Sequence, residues 1–157
     1  MKYNFMRNEK GGIVKLLLLA IAVGGLYAGY YHFQGTPRYA LIQFKRAIQF
    51  KNAENVEKYF DMNSFISKLA EEISGGADKE TLKKQIMYEI NWPGEKSTFA
   101  SVKDWNVFTI PINISDDNDE VATTEPDKGT RVRLEKKGER QWIITSINFS
   151  KTRETLK

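Results

Sequence analysis

Apolar and polar positions divide the chain into three regimes with different periods. From Leu16 to Phe33 the run LLLLAIAVGGLYAGYYHF extends for eighteen residues without a fixed charge. At ~1.5 Å per residue it reaches about 27 Å as a helix, close to the ~30 Å hydrocarbon core of a bilayer. It predicts one membrane-spanning helix. From Pro37 to Trp92 apolar residues return every three or four positions, the period of half-buried helices. After Gly94 the period shortens to two, that of strands.

In the helical regime, Thr36 as N-cap and Pro37 at the first helical position start a helix in which Leu41, Phe44, Ala47 and Ile48 oppose Gln43, Lys45, Arg46 and Gln49. Asn52 starts a second, short helix carrying Val56, Tyr59 and Phe60. Asp61 caps a third with Phe65, Ile66, Leu69 and Ile73, which Gly75-Gly76 stops. Asp78 starts a fourth with Leu82, Ile86 and Ile90, which Trp92-Pro93-Gly94 breaks.

In the strand regime, Trp105 to Ile114 predicts a strand with Phe108, Ile110, Ile112 and Ile114 on one face and Pro111 marking an edge or a bulge. Asp116-Asp117-Asn118-Asp119-Glu120 reads as an acidic loop. It shares composition with a calcium loop but lacks the ligand spacing, the turn glycine and the final glutamate. Glu120 to Thr124 is a short strand, and Thr130 to Lys136 and Gln141 to Phe149 form a hairpin around Lys137-Gly138-Glu139. The expected organisation is a basic tail over 1–15, a transmembrane helix over 16–33, a linker over 34–36, an α+β domain over 37–150 and a fraying tail over 151–157.

Charge sets the expected topology. Lys2, Arg7, Lys10 and Lys15 against Glu9 precede the apolar run, which predicts the N-terminus in the cytoplasm and the domain outside it. Lys15, Tyr27, Tyr30 and Tyr31 are the expected anchor residues, the tyrosines forming an interfacial belt. A cleaved signal peptide is the rival reading, with Val23-Gly24-Gly25 as the site, but the apolar segment continues past it. Gly25 and Gly29 form a GxxxG pair, a candidate contact between two helices. The chain's net charge of +4 is confined almost wholly to the tail, since the residues from Pro37 onward carry 20 basic and 19 acidic side chains. No basic face for nucleic acid is implied.

The chemistry is sparse. With no cysteine there is no disulfide, thiolate metal site or acylated anchor cysteine. The one histidine, His32, lies at the edge of the membrane segment, without the partners of a triad or a metal site. No phosphate-binding GxxxxGK[ST] or dinucleotide-binding GxGxxG occurs. Asp61 and Asp104 are the acids with the most apolar neighbours, and both also suit caps or turns. Among the many aromatics Tyr59, Tyr88, Trp105 and Trp142 are the ones to seek around a pocket, because their polar atoms need partners. Arg131 and Arg133 read as a solvated strand face.

The order of helices followed by an antiparallel sheet ending in a Trp-bearing strand resembles the nuclear-transport-factor-2-like, cystatin-like cone. GYYHFQGTPRYALIQFKRAIQFKNAENVEKYFDMNSFISKLAEEI is similar to a family of uncharacterised bacterial envelope proteins with an N-terminal hydrophobic segment and a motif of the kind YxALxxLxxAxxxxDxxxLxxxVDxxxLxxxL. Tyr39, Leu41, Phe44, Ala47, Val56, Phe60, Asp61, Phe65 and Leu69 occupy the matching positions, and RVRLEKKGERQWIITSINF resembles the closing hairpin. Asn52 or Asn55 stands where that family has an acidic residue. The resemblance implies a curved sheet wrapped by helices and supplies no catalytic residue.

The expected function is therefore a non-catalytic binding module for a protein or a small apolar ligand, held in the bacterial inner membrane by a single pass. Its expected partners are the bilayer and an envelope protein or a second copy of the chain, with no cofactor and no metal. Two rivals stand beside it: a scaffold subunit of an envelope or secretion complex, and a cavity enzyme using Asp61 or Asp104 as base.

Overall fold

The computed structural model describes residues 9–72, 78–92, 97 and 99–149. The chain divides into two units, 1–34 and 35–157.

The first unit is a single helix, α1 (Glu9–Gln34). Its stretch Gly12–Gln34 is long and apolar enough to cross a membrane, and none of its most apolar window is buried within the protein. The helix begins earlier than the apolar run does. Lys15, expected at the end of a tail, lies inside α1, because nothing between Glu9 and Lys15 stops a helix: Gly11 and Gly12 are tolerated there at some cost.

The second unit is α+β. Its helices are α2 (Pro37–Gln49), α3 (Ala53–Tyr59), α4 (Met62–Glu72) and α5 (Lys79–Asn91), followed by a 3-10 turn over Ala100–Asp104. Each α-helical start has the expected side-chain cap. Thr36 accepts from Tyr39 N at 3.2 Å, Asn52 from Asn55 N at 3.0 Å, Asp61 from Ser64 N at 3.0 Å and Asp78 from Thr81 N at 3.0 Å. The predicted Gly75-Gly76 and Pro93-Gly94 stops, Ile73 and the 151–157 tail lie outside the described residues.

Strands β1 (Ile112–Ser115), β2 (Asn118–Asp127), β3 (Thr130–Lys137) and β4 (Gln141–Phe149) form one antiparallel sheet in the order β1-β2-β3-β4. Register shifts interrupt every pairing, near Ser115, between Thr124 and Asp127, and between Arg133 and Leu134. Such bulges bend and twist a sheet. One face is buried through Ala122, Thr124, Val132, Leu134, Trp142 and Ile144. On the exposed face Arg131 pairs with Glu125 at 2.9 Å and Arg133 with Glu135 at 3.0 Å. A parallel bridge between Phe60 and Ile144 fastens the α3–α4 connection to β4.

Two strand expectations are corrected. The strand predicted from Trp105 to Ile114 is only Ile112–Ser115, and its proposed apolar face forms only in part: Ile110 is buried and Ile112 packs against the core, but Phe108 is 69% exposed and Ile114 48%, whereas Val107 is buried. Side-chain donors from α2 take up the backbone carbonyls of Lys103, Trp105, Val107, Phe108 and Ile110 in place of a strand ladder. In the opposite direction, the short strand at Glu120–Thr124 is ten residues long, and Asn118, Asp119 and Glu120 of the expected loop already belong to it. Its inward residues include Ala122, Thr124 and Pro126, too small and polar to advertise a strand.

Core aromatics close into a ring. Phe44, Phe60, Phe99, Phe149 and Trp105 follow one another with centroids 5.4 to 6.4 Å apart, and Trp105 returns to Phe44 at 6.0 Å. Phe65 stacks against Phe60 and Phe99 at 5.2 and 6.3 Å. These are the spacings of rings in direct contact.

Candidate functional site

Among the described residues, polar side chains converge on a hollow of about 260 Å³ where α3, α4, α5 and the β3–β4 hairpin meet. Phe60, Met62 and Ile143 supply its apolar part, while Glu57, Asp61, Asn63, Lys83 and Lys137 supply its polar part. Asp61 is its best-held member. Its N–H donates to Ile144 O at 2.8 Å and its carbonyl accepts from Phe65 N at 3.1 Å, so the backbone is tied to both β4 and α4. One carboxylate oxygen accepts from Ser64 N at 3.0 Å and the other from Lys137 Nζ at 3.2 Å.

Burial of the Asp61 carboxylate works to raise its pKa. The Ser64 hydrogen bonds and the Lys137 ammonium outweigh that effect and hold the pKa below its ordinary value of 3.8. Across the hollow Lys83 pairs with Glu57 at 3.5 Å. Each carboxylate thus has its own ammonium, and Asp61 stays ionised at neutral pH. A general base needs the opposite displacement, toward the working pH. Asp61 functions as a helix cap and an ion-pair partner.

The other residues singled out from the sequence are dispersed. Tyr59 is half-buried, edge-on to Tyr39 at 6.2 Å with Lys58 Nζ 5.9 Å from its ring centroid. Tyr88 is 66% exposed on α5. Trp105 is buried in the aromatic ring, and its indole Nε1 has no hydrogen-bond partner among the described residues. Trp142 is buried and donates from Nε1 to Gly35 O at 3.1 Å. None of these four lines the hollow that holds Asp61. Asp104 is exposed at the end of the 3-10 turn, and His32 is exposed on α1. Among the described residues no group of three or more His, Cys, Asp or Glu side chains is placed to hold a metal ion.

Gly25 and Gly29 have nothing within 4 Å of where a Cβ would stand, and the Tyr27 and Tyr31 rings stack at 6.4 Å with Tyr30 exposed nearby on the same helix.

Patterning overlooked the side-chain bracing by α2. Arg38 donates to the carbonyls of Val107 and Ile110 at 2.9 Å each and also to that of Phe108. Lys45 Nζ reaches Trp105 O at 2.7 Å and Gln49 Nε2 reaches Lys103 O at 3.3 Å. The signal was present as long donors at positions 38, 45 and 49, steps of seven and four that keep one helix face. A polar stripe at that spacing reads equally well as solvated, and only the packed loop distinguishes the two.

Compared with known protein families, with curated proteins and with solved structures, the chain matches none.

Proposed function

We propose that this chain is a single-pass membrane protein of the bacterial inner membrane, whose second unit faces away from the cytoplasm and serves as a non-catalytic binding module for a protein partner. The observation that carries the reading is α1. Its apolar surface finds no cover within the protein, and lipid is the environment that removes such a surface from water. Four basic residues against one acidic residue precede Leu16, which favours a cytoplasmic N-terminus. The stacked Tyr27–Tyr31 pair suits the outer interface.

A protein partner is favoured over a small apolar ligand by the domain interior, where contacting rings occupy the space a ligand would need. The depressed pKa of Asp61 weighs against the cavity-enzyme reading. The bulged sheet and its Trp-bearing last strand support the cone-like, nuclear-transport-factor-2-like architecture, and with it membership of the envelope family that the motif resembles. The spacing of Gly25 and Gly29, which lets two helices approach closely, supports a second copy of the chain as one partner.

Carbonate washing and cysteine labelling test the reading together. The chain has no cysteine, so Lys128→Cys in the exposed β2–β3 turn gives a single thiol. The expected result is a carbonate-resistant protein whose thiol reacts with a membrane-impermeant maleimide in intact spheroplasts. Release by carbonate overturns the anchoring, and labelling only after lysis overturns the orientation.

A further inference from the structure

The two edges of the sheet are not alike. On β4 the α3–α4 connection covers the edge, through the Phe60–Ile144 bridge and the bond from Asp61 N to Ile144 O at 2.8 Å. On β1 no described residue bonds the outer side, although every second residue of an edge strand turns its N–H and C=O outward. β1 spans 4 residues after Pro111, so this edge offers only a short ladder.

The buried layer also stops short at β1. Ile112 faces Thr124 and Ile114 faces Ala122, so both isoleucines lie on the core side of the sheet. Ile112 packs against the core, but Ile114 is 48% exposed while Ala122 across from it is 0%. An apolar side chain on the core side therefore lacks cover at the open edge. Phe108, in the segment that leads into β1, is 69% exposed on backbone whose carbonyls Arg38 holds, which presents its ring from a fixed position.

Charge distinguishes the far end of β1. Asp116, Asp117, Asp119 and Glu120 are exposed, and among the described residues no Lys or Arg forms an ion pair with any of them. β3 brings Lys136 level with Glu120, one step past the Val121–Glu135 pair, and Lys137 is committed to Asp61. Asp116, Asp117 and Asp119 carry the excess negative charge of this turn.

We infer that the β1 edge receives an extended segment of a protein partner, apolar at alternate positions and carrying Lys or Arg where it passes the β1–β2 turn. This rests on the reading of the second unit as a binding module for a protein. The added strand bonds the outward groups of β1 and sets its apolar side chains beside Ile114, extending the core layer by one strand. The aspartates then select among extended chains by charge, which so short a ladder does not do by itself. A second copy of β1 brings the same acidic turn and offers no complementary charge.

Two peptides of one pattern test the charge and the edge together. They are fluorescein-labelled Lys-Val-Thr-Val-Lys-Val-Lys and the same peptide with Glu for Lys, added to the full chain in dodecyl maltoside. Fluorescence anisotropy is expected to show the lysine peptide binding about tenfold more tightly. Bound peptide is expected to slow hydrogen exchange at 112–115 about tenfold and to leave β3 unchanged. Asp116→Asn with Asp117→Asn and Asp119→Asn is expected to bring the two affinities within about threefold of each other. Ile114→Lys is expected to weaken the lysine peptide about tenfold, while a cooperative urea transition shows the variant folded.

Equal affinity for the two peptides, no binding of either, or slowed exchange confined to another part of the chain overturns the inference. A protein that co-purifies from solubilised membranes equally with wild type and with Ile114→Lys also overturns it, and leaves the binding-module reading intact. Crosslinking of β1 to β1 between copies overturns it in favour of a second copy. A chain that binds neither peptide and retains no protein overturns both readings together.

Discussion

The indole Nε1 of Trp142 donates to the carbonyl of Gly35 at 3.1 Å, joining residues 107 positions apart. The hairpin that ends the sheet is thereby fastened to the first residue of the second unit. Trp142 is buried and Gly35 half-buried, so the bond is made where water has limited access.

Replacing Trp142 by Phe keeps most of the buried area and removes that donor. The expected loss is about 1 kcal/mol, against about 3–5 kcal/mol for Trp142→Ala, which also opens a cavity. Urea unfolding of the detergent-solubilised chain measures both, and a Trp142→Phe variant as stable as the wild type would remove the hydrogen bond from the account.

Arg38 tests whether side-chain bracing replaces a strand ladder in 105–111. Its guanidinium serves the carbonyls of Val107, Phe108 and Ile110, a fork that a lysine ammonium does not reproduce. Arg38→Ala is expected to cost about 2–3 kcal/mol, with Arg38→Lys recovering less than half. Hydrogen exchange is expected to rise in 105–111 ahead of β2–β4; uniform protection in Arg38→Ala would contradict the bracing.

Asp61 links stability to pH. Its pKa in the folded chain lies below 3.8, so the unfolded chain binds the proton more readily. The contribution is fully present above that ordinary value and is lost as pH falls through the folded-state pKa. Asp61→Asn retains a capping oxygen and loses the Lys137 pair, costing about 0.5–1 kcal/mol at pH 7. Asp61→Ala loses the cap as well, adding about 1 kcal/mol. Thermal melts from pH 7 down to about 3 are expected to converge for wild type and Asp61→Asn; a gap that widens on acidification would mean that the folded-state pKa is raised instead.

Gly25 and Gly29 carry the second-copy reading. Neither glycine has a neighbour within 4 Å in the single chain, so leucine is accommodated there without a clash. Gly25→Leu with Gly29→Leu is expected to leave membrane insertion unchanged and to reduce in-membrane crosslinking between copies about tenfold. Unchanged crosslinking would transfer any dimer contact elsewhere.

The sequence by itself determined the local structure of the helical half. Caps at Thr36, Asn52, Asp61 and Asp78 depend on hydrogen bonds within three residues, and the stripe of Leu41, Phe44, Ala47 and Ile48 depends on helical period alone, so both are legible without knowing the fold. The apolar run of α1 is legible for the same reason, being set by composition and length. The solvent-facing reading of Arg131 and Arg133 needed only alternation along one strand.

Tertiary structure decided everything that depends on residues far apart in the chain. The periodicity of 105–114 is a strand's, yet the carbonyls of that segment are claimed by Arg38 and Lys45 from about sixty to seventy positions upstream, and the strand shrinks to Ile112–Ser115. β2 is the converse, ten residues stabilised by pairing with β1 and β3 although its own side chains give a weak signal. The Asp61 hollow likewise depends on Lys137, 76 positions away. A carboxylate with apolar sequence neighbours suggests a raised pKa; the Ser64 hydrogen bonds of the cap lower it from three residues away, and the Lys137 ammonium adds to them only when the hairpin folds over α3 and α4.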